Sequence, residues 1–129
     1  MKTMLGSMAL VLIALPLVAC GSSRDVEVSG QVSAPATVTV QGPIALQFYD
    51  LVDAENPEKV HSISLETPRA FNEKVALEGD KVRIVAIDDR DNNGACSAGE
   101  SWAQVEAPIK DDDSIDPVTL TLALSPCPN

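Results

Sequence analysis

The chain has 129 residues, of which 19 are acidic and 9 are basic, so its formal net charge is −10 at pH 7. An acidic surface of this kind repels nucleic acid and anionic lipid headgroups, which excludes nucleic acid as a partner and favours cations, basic partners or simple solubility. The length is that of one domain with a core of ordinary size.

The first predicted element is a secretory signal. Lys2 gives a short positive start, and a largely apolar stretch follows from residue 5 to residue 17. That stretch is too short to span a bilayer comfortably, because a spanning helix needs about 20 apolar residues. A positive start, an apolar run and a cleavage region are typical of a signal peptide, so residues 1–19 are left out of the predicted fold.

Residues 17–20 read LVAC, which resembles the lipobox of bacterial lipoproteins. The resemblance implies cleavage before Cys20, a diacylglycerol on its sulfur and an acyl chain on its new amino group. Two or more acyl chains anchor a protein stably. Gly21 stands where Asp would favour the inner membrane, which implies sorting to the outer membrane. We expect a lipidated tether over residues 20–25 and a domain over 26–129; the alternative is an ordinary signal peptide followed by a cysteine.

After the tether, apolar residues alternate in short runs that turn signals separate, which is the pattern of β-strands. No segment has a convincing helical period. The run at 81–87 is apolar on both faces, as a central strand is, and in the last run Val118, Leu120, Leu122 and Leu124 are expected to share one face. We predict strands in eight segments, which span residues 26–32, 37–40, 44–50, 60–66, 71–77, 81–87, 101–109 and 118–125.

Strands that recur about every 8–12 residues predict an all-β fold, a single antiparallel β-sandwich of about 7–8 strands. The segments VSGQV at 28–32 and LEGDKVRI at 77–84 are similar to immunoglobulin-like and transthyretin-like sandwich modules of bacterial surface proteins. Only four aromatic residues occur in the chain, so aliphatic side chains are expected to fill the core.

The chain has three cysteines. If the lipid uses Cys20, Cys96 and Cys127 remain as a pair in an exported protein, where disulfides persist. We predict a Cys96–Cys127 disulfide, and closing a loop of about 30 residues contributes roughly 3–4 kcal/mol. The alternatives are two reduced core thiols or a thiolate metal site, for which two cysteines and one distant histidine make a poor zinc set.

Residues 89–100, DRDNNGACSAGE, have the spacing of a calcium loop. Oxygen-bearing side chains stand at alternate places, and Gly94 permits the sharp bend at the sixth place. The candidate Ca²⁺ ligands are Asp89, Asp91, Asn93, the carbonyl of Ala95, Ser97 directly or through water, and Glu100. The spacing is that of an EF-hand loop, but the flanks read as strands and not as the paired helices of an EF-hand. The loop more closely resembles calcium loops of bacterial adhesin modules, in which calcium rigidifies the fold; the matching residues are Asp89, Asp91, Asn93, Gly94, Gly99 and Glu100. The alternatives are an Asx-rich turn that binds nothing and Mg²⁺, which demands tighter geometry.

Other candidate residues have plainer interpretations. Asp111, Asp112 and Asp113 are interpreted as a solvated acidic loop, with a second cation site as the alternative. His61 is interpreted as a packed or half-exposed side chain, and Trp102 as packing under the loop, with an exposed binding aromatic as the alternative. One histidine, no nucleophile elbow and no glycine-rich phosphate loop predict that the protein is not an enzyme.

Two classes of function follow from the sequence. The first is a non-catalytic protein of the bacterial outer membrane, facing the periplasm or the cell surface, whose N-terminal lipid contacts the membrane. Its Ca²⁺-stabilised sandwich would act as a binding or adhesion module for an envelope protein, a surface protein or a glycan. The second class is an architectural accessory subunit of a secretion, pilus or motility complex.

Overall fold

The computed structural model describes residues 23–128, so the predicted signal peptide, the predicted lipid site Cys20 and residues 21–22 of the predicted tether lie outside the described residues. Within this range the chain forms β-strands and no helix, and the predicted all-β sandwich is confirmed. The eight strands are β1 (Arg24–Ser33), β2 (Ile44–Asp50), β3 (Glu58–Leu65), β4 (Ala70–Leu77), β5 (Lys81–Asp88), β6 (Ser101–Pro108), β7 (Val118–Thr121) and β8 (Ala123–Leu124).

The strands form two sheets, with orders β4-β1-β7 and β3-β2-β5-β6-β8. All neighbours are antiparallel except β1 and β7, which pair in parallel, a pairing that the sequence did not predict. β6 ends at the end of the sandwich where β1 begins, and the connection after it crosses to the other sheet at that end. β7 therefore runs in the same direction as β1.

The core lies between the sheets and is largely aliphatic. Alternate residues of each strand face inward, as Val26 of β1 and Ile44 and Leu46 of β2 do, and these three are fully buried. Phe48 and Phe71 meet edge to face with ring centroids 6.1 Å apart. Burying a large apolar side chain stabilises a fold by about 1.5–3 kcal/mol, so this layer holds the two sheets together.

Strand β5 is central, as predicted, and it is buried on both faces. Val82 and Ile84 face the core, whereas Val85 and Ile87 lie on the outer face and are only 8% and 3% exposed. Trp102 of β6 stands opposite Ile87. The outer face of this sheet is therefore covered near the end of β5, where the loop 89–100 begins.

The predicted strand over 118–125 is wrong as a single strand. It divides into β7, in the three-stranded sheet, and β8, in the five-stranded sheet. Leu122 lies between them, fully buried, and its N–H donates to the carbonyl of Ser33 at 2.9 Å. Leu120 is also buried, but Leu124 is 61% exposed, because the change of sheet ends the regular alternation of faces.

The predicted strand over 37–40 is absent from the described structure, where these residues belong to the connection between β1 and β2. The N–H of Val38 donates to the carbonyl of Pro35 at 2.9 Å, which closes a turn. Val38 and Val40 are partly buried against the core. Their alternation therefore reflects the packing of a connection that lies between Pro35 and Pro43, residues that cannot donate a backbone hydrogen bond.

The strand directions place the connections at two ends of the sandwich. The connections 34–43, 66–69 and 89–100 and the C-terminal segment 125–128 share one end, called here the loop end. Ser23 and the connections 51–57, 78–80 and 109–117 share the opposite end, called here the N-terminal end. No helix within residues 23–128 is long and apolar enough to cross a bilayer.

Strand β1 begins at Arg24, so the last two residues of the predicted tether belong to the first strand. The Arg24 guanidinium donates to the carbonyl of Gly79 at 3.1 Å and pairs with Asp113 at 3.0 Å. These contacts fix the start of the domain beside two connections of the N-terminal end.

Candidate metal centre

Three carboxylates converge where the loop 89–100 leaves β5 and enters β6. Each of Asp89, Asp91 and Glu100 offers an oxygen atom, and these atoms all lie within 4.8 Å of one another. Asp89 and Glu100 are each only 3% exposed, whereas Asp91 is exposed. Because β5 and β6 are antiparallel neighbours, the two ends of the loop must lie side by side, which brings its first and twelfth residues together.

The carboxylate of Asp89 holds the first half of the loop. One oxygen accepts from the N–H of Asn93 at 3.1 Å, and the other accepts from the N–H of Gly94 at 2.8 Å. Gly94 has φ of 72°, a left-handed conformation that costs a glycine little. The chain therefore turns around Asp89, and the sixth place of the loop carries the bend.

The carboxylate of Glu100 holds the second half of the loop. Its Oε1 accepts from the N–H of Ser97 at 2.7 Å, and its Oε2 accepts from the N–H of Arg90 at 2.6 Å. Gly99, just before it, has φ of 88°. Glu100 thus joins residues from both ends of the loop, and its two oxygens point into the ring that the loop forms.

Asn93, Ser97 and Asp91 are joined by hydrogen bonds. The Ser97 hydroxyl donates to Asp91 at 2.9 Å and accepts from the Asn93 amide at 3.1 Å, and the N–H of Ala95 donates to Asn93 Oδ1 at 3.0 Å. The hydrogen bond from the Ser97 hydroxyl lowers the pKa of Asp91 below its ordinary value and outweighs the opposing effect of burial. Asp91 is therefore ionised at neutral pH.

No basic side chain within residues 23–128 forms an ion pair with any of the three clustered carboxylates. Arg90, the nearest in sequence, reaches Asp88 at 3.4 Å and the carbonyl of Thr39 at 3.3 Å instead. The negative charge of the cluster is met only by hydrogen-bond donors, which stabilise a carboxylate without neutralising it.

Asp88 does not belong to the cluster, although it directly precedes Asp89 in the sequence. It is fully buried at the end of β5. Its carboxylate accepts from the N–H groups of Gln41 and Gly42 at 3.1 and 2.8 Å. Asp88 therefore fastens the connection 34–43 to the five-stranded sheet.

The donor set fits a hard divalent cation. Ca²⁺ takes 6–8 oxygen ligands, and soft metals prefer sulfur or nitrogen. The loop brings together three carboxylates with the side chains of Asn93 and Ser97. Among the hydrogen bonds of the described chain, the carbonyl of Ala95 accepts none. Five of the six residues that the sequence proposed as ligands thus offer oxygen-bearing side chains, and Ala95, the sixth, is joined to them by its N–H, which donates to Asn93.

A pair of cysteines closes the loop from the other side. The sulfur atoms of Cys96 and Cys127 are 2.06 Å apart, the distance of a disulfide, and their Cα atoms are 5.7 Å apart. The structure thus brings together the pair that the sequence predicted, in place of separate thiols. The bond attaches the eighth residue of the loop to the C-terminal segment.

Gln47 is a residue of this site that sequence reasoning missed. It is 4% exposed on the outer face of β2, its amide donates to the carbonyl of Gly94, and its Oε1 accepts from the Tyr49 hydroxyl at 2.9 Å. The strand pattern marks Gln47 only as an outward polar residue. No local signal reveals a contact with a loop 47 positions further along the chain.

His61 and Trp102 are each held by contacts with other parts of the chain. His61 is half-buried, lies 3.2 Å from Glu73 and packs on Phe48 with ring centroids 5.4 Å apart, as a packed histidine would. Trp102 is half-buried beside the loop, and its Nε1 donates to the carbonyl of Ser125 at 3.2 Å.

The acidic run 111–113 is held by its own neighbours. Asp113 pairs with Arg24, and Asp112 accepts from the Ser114 hydroxyl at 2.6 Å, which lowers the pKa of Asp112. This agrees with the interpretation of the run as a solvated acidic loop.

No family model matches this chain, and no curated protein or solved structure matches it either. The site therefore has to be interpreted from its own chemistry.

Proposed function

We propose that this protein is a non-catalytic, lipid-anchored binding module of the bacterial cell envelope, in which Ca²⁺ held by the loop 89–100 fixes one end of a β-sandwich. The observation that carries the proposal is the convergence of Asp89, Asp91 and Glu100 within 4.8 Å, with no basic side chain of the described chain paired to them. A divalent cation would neutralise this charge and supply the missing attraction between the two halves of the loop.

The surroundings of the loop support a structural role for the ion. Strands flank the loop, Gln47 holds Gly94, and the Cys96–Cys127 pair ties the loop to the C-terminal segment. Helices that could reorient on binding, as in calcium sensors, are absent from residues 23–128. Ca²⁺ is therefore assigned to stiffen a loop that is already shaped, with an affinity in the range of extracellular modules, about 10⁻⁴–10⁻³ M.

The position of the loop supports a binding role away from the membrane. β1 begins at the N-terminal end of the sandwich, so a lipid on Cys20, four positions before Arg24 in the sequence, would attach the domain to the membrane by that end. The loop lies at the opposite end of β5, whose eight residues span about 25 Å at roughly 3.3 Å per residue. An anchored domain would then present its loop end, with the calcium site, to its surroundings.

A non-catalytic role agrees with how the reactive groups are used. His61 is engaged with Glu73, and Asp89 and Glu100 each accept two backbone N–H groups. Among the hydrogen bonds of residues 23–128, His61 pairs with Glu73 and with no serine, threonine or cysteine, so it does not form the nucleophile–histidine pair of many hydrolases.

Thermal unfolding of the oxidised chain from residue 21 onward tests the calcium site. In about 5 mM CaCl₂ the free energy of unfolding should rise by about 1–2 kcal/mol over its value in EDTA, which raises Tm by roughly 5–10 °C in a domain of this size. MgCl₂ should give a smaller rise, because Mg²⁺ demands a tight octahedral shell.

Two alanine variants sharpen this test. Asp89→Ala should abolish the calcium-dependent rise in Tm, whereas Asp111→Ala removes the same charge from the acidic loop at the N-terminal end and should leave the rise intact. If wild type shows no rise, or if Asp89→Ala keeps it, the calcium site is rejected.

The anchor has a separate test in the full chain expressed in a bacterium. The wild type should incorporate labelled palmitate and sediment with membranes, and Cys20→Ser should do neither. Membrane association that survives Cys20→Ser without lipid incorporation would refute the proposed anchor.

A further inference from the structure

A groove of about 330 Å³ lies on the outer face of the five-stranded sheet, beside the loop 89–100. Its floor is formed by the buried pair Val85 and Ile87 of β5. Residues 94–96 of the loop line one part of the groove, and the rest of the lining comes from Gln47, Tyr49, Arg83, Trp102, Gln104 and Pro128.

The groove receives both aromatic side chains that the core does not use. The chain has four aromatics, of which Phe48 and Phe71 are buried in the core, while Tyr49 and Trp102 line the groove. Both polar ends are fixed, the Tyr49 hydroxyl on Gln47 and the Trp102 Nε1 on the carbonyl of Ser125. The two rings are thus held in place before any ligand arrives, which lowers the cost of binding.

The charge of the groove differs from that of the rest of the molecule. Among the described side chains that line it, none is a carboxylate, although the chain carries 19 acidic residues. Arg83 is the one charged lining residue within residues 23–128, and its guanidinium donates to Glu106 at 2.7 Å. The exposed amide of Gln104 adds an uncharged donor and acceptor. A neutral polar ligand meets the least electrostatic penalty here, and a cationic ligand finds no carboxylate in the lining.

We propose that this groove binds a short neutral oligosaccharide, which names the ligand of the binding module proposed above and rests on that function. A sugar ring offers an apolar C–H face that packs on an aromatic ring and hydroxyls that pair with amides, which is the combination that this groove provides. Strand register places Trp102 and Tyr49 two strands and four residues apart, roughly 16 Å by ordinary sheet spacings, which suits a trisaccharide.

The sheet face argues against an extended peptide as the ligand. Peptides that add to a sheet pair with the free backbone groups of an edge strand. The groove floor is β5, which is hydrogen-bonded to β2 and β6 on its two sides. A peptide lying here would gain no main-chain hydrogen bonds from the floor.

Fluorescence titration of the oxidised chain in CaCl₂ tests the proposal, because Trp102 is the one tryptophan of the chain and reports on the groove alone. The probes are cellotriose, maltotriose and N,N′,N″-triacetylchitotriose, with tetra-alanine as the peptide control. At least one trisaccharide should give a saturable change in emission, and tetra-alanine should give none. No saturable response to any trisaccharide, or a response to the peptide alone, would overturn the proposal.

Variants with matched controls separate binding from folding. Tyr49→Ala should weaken sugar binding about tenfold through loss of ring contact. Gln104→Ala removes an exposed amide that no strand pairing needs, so it should fold normally and bind about fivefold more weakly, as the loss of one hydrogen bond predicts. Gln31→Ala, an exposed amide on the other sheet, should bind as wild type does. Equal sugar affinity in Gln104→Ala, Tyr49→Ala and Gln31→Ala would refute the site.

Failure of this proposal is distinguishable from failure of the proposed calcium module. A chain whose Tm rises with CaCl₂ but which binds no trisaccharide keeps the calcium site and loses the groove. A chain that binds a trisaccharide equally in CaCl₂ and EDTA, with no calcium-dependent rise in Tm, keeps the groove and loses the calcium site.

Discussion

Asp50 shows how much one buried carboxylate does for a turn in this protein. It ends β2, is 4% exposed, and accepts from the N–H groups of Glu78 and Gly79 at 2.7 and 2.9 Å. A Cβ at Gly79 would lie 2.8 Å from Asp50 Oδ1, so glycine is required for this close approach. The turn between β4 and β5 therefore depends on a residue that is 28 positions away from Glu78.

Replacing Asp50 should destabilise the fold measurably. Asp50→Ala leaves both N–H groups without their partner and should lower the free energy of unfolding by about 2–4 kcal/mol. Asp50→Asn should cost less, because its amide oxygen still accepts from one of them. Urea denaturation measures both values. Glu55→Gln, which changes an exposed side chain of the adjoining connection, serves as the control and should stay within about 0.5 kcal/mol of wild type. An Asp50→Ala variant as stable as this control would refute the assigned role.

At the scale of elements, the parallel contact of β1 and β7 depends on Gly30. Gly30 pairs with Val118, and a Cβ at this position would lie 2.7 Å from the Val118 Cγ2 atom and crowd the Val118 carbonyl. Real Cβ atoms do not come this close, so any side chain would force the two strands apart. The pairing of β7 with β1 therefore requires glycine at position 30.

Gly30→Ala should therefore lower the free energy of unfolding by about 1–3 kcal/mol through overpacking. Gln31→Ala changes the next, outward-facing residue of β1 and should have an effect within about 0.5 kcal/mol. Chemical denaturation gives the energies, and hydrogen exchange should show the amides of β7 losing protection first in Gly30→Ala. Equal stability of the two variants would show that β7 tolerates the displacement.

The strands were predictable where local alternation and burial agree. The bounds of β2 are those predicted, and β5 was correctly placed at the centre because it is apolar on both faces. The sequence could not reveal that the last apolar run changes sheets at Leu122. Alternation records which residues are buried but not which sheet buries them, so Val38 and Val40, packed from a connection, looked like a strand.

The candidate metal site was more predictable than the contacts that support it. The places of Asp89 and Glu100 follow from loop spacing, and a β5–β6 hairpin brings them together. Gln47 and the groove beside Trp102 depend on how distant strands align. That alignment depends on the packing of the whole sandwich, so no single segment of the sequence predicts it.

At the scale of the whole molecule, the loop end is held by bonds that belong to different parts of the chain. The disulfide joins Cys96 to Cys127 across 31 positions, and Trp102 holds Ser125 in the same C-terminal segment. β8, which leads into that segment, has only two residues and pairs with Ser101 and Trp102 alone. The C-terminal segment is therefore attached to the sandwich mainly beside the loop 89–100. The disulfide in turn attaches the loop to this segment.

This arrangement predicts that the disulfide and calcium strengthen each other. Cys96 lies between the candidate ligands Ala95 and Ser97, so the disulfide already restricts the conformations of the loop. Ca²⁺ binding then has less conformational freedom of the loop to remove. Replacing both cysteines, as Cys96→Ser with Cys127→Ser, should cost about 3–4 kcal/mol in EDTA. It should also weaken Ca²⁺ binding severalfold, because part of the binding free energy must then order the loop. Coupling between two events is reciprocal, so the cost of losing the bridge should be larger in CaCl₂ than in EDTA.

Four melting curves measure this coupling, for the oxidised wild type and the double serine variant, each in EDTA and in CaCl₂. The calcium-dependent rise in Tm should be smaller in the variant than in the wild type, and calcium titration should show the weaker affinity directly. Asp111→Ala, with both cysteines intact, should give the wild-type rise. If the rise is the same with and without the bridge, the disulfide stabilises the C-terminal segment alone. The loop would then owe its shape to Asp89, Glu100 and Gln47, whose contacts do not involve either cysteine.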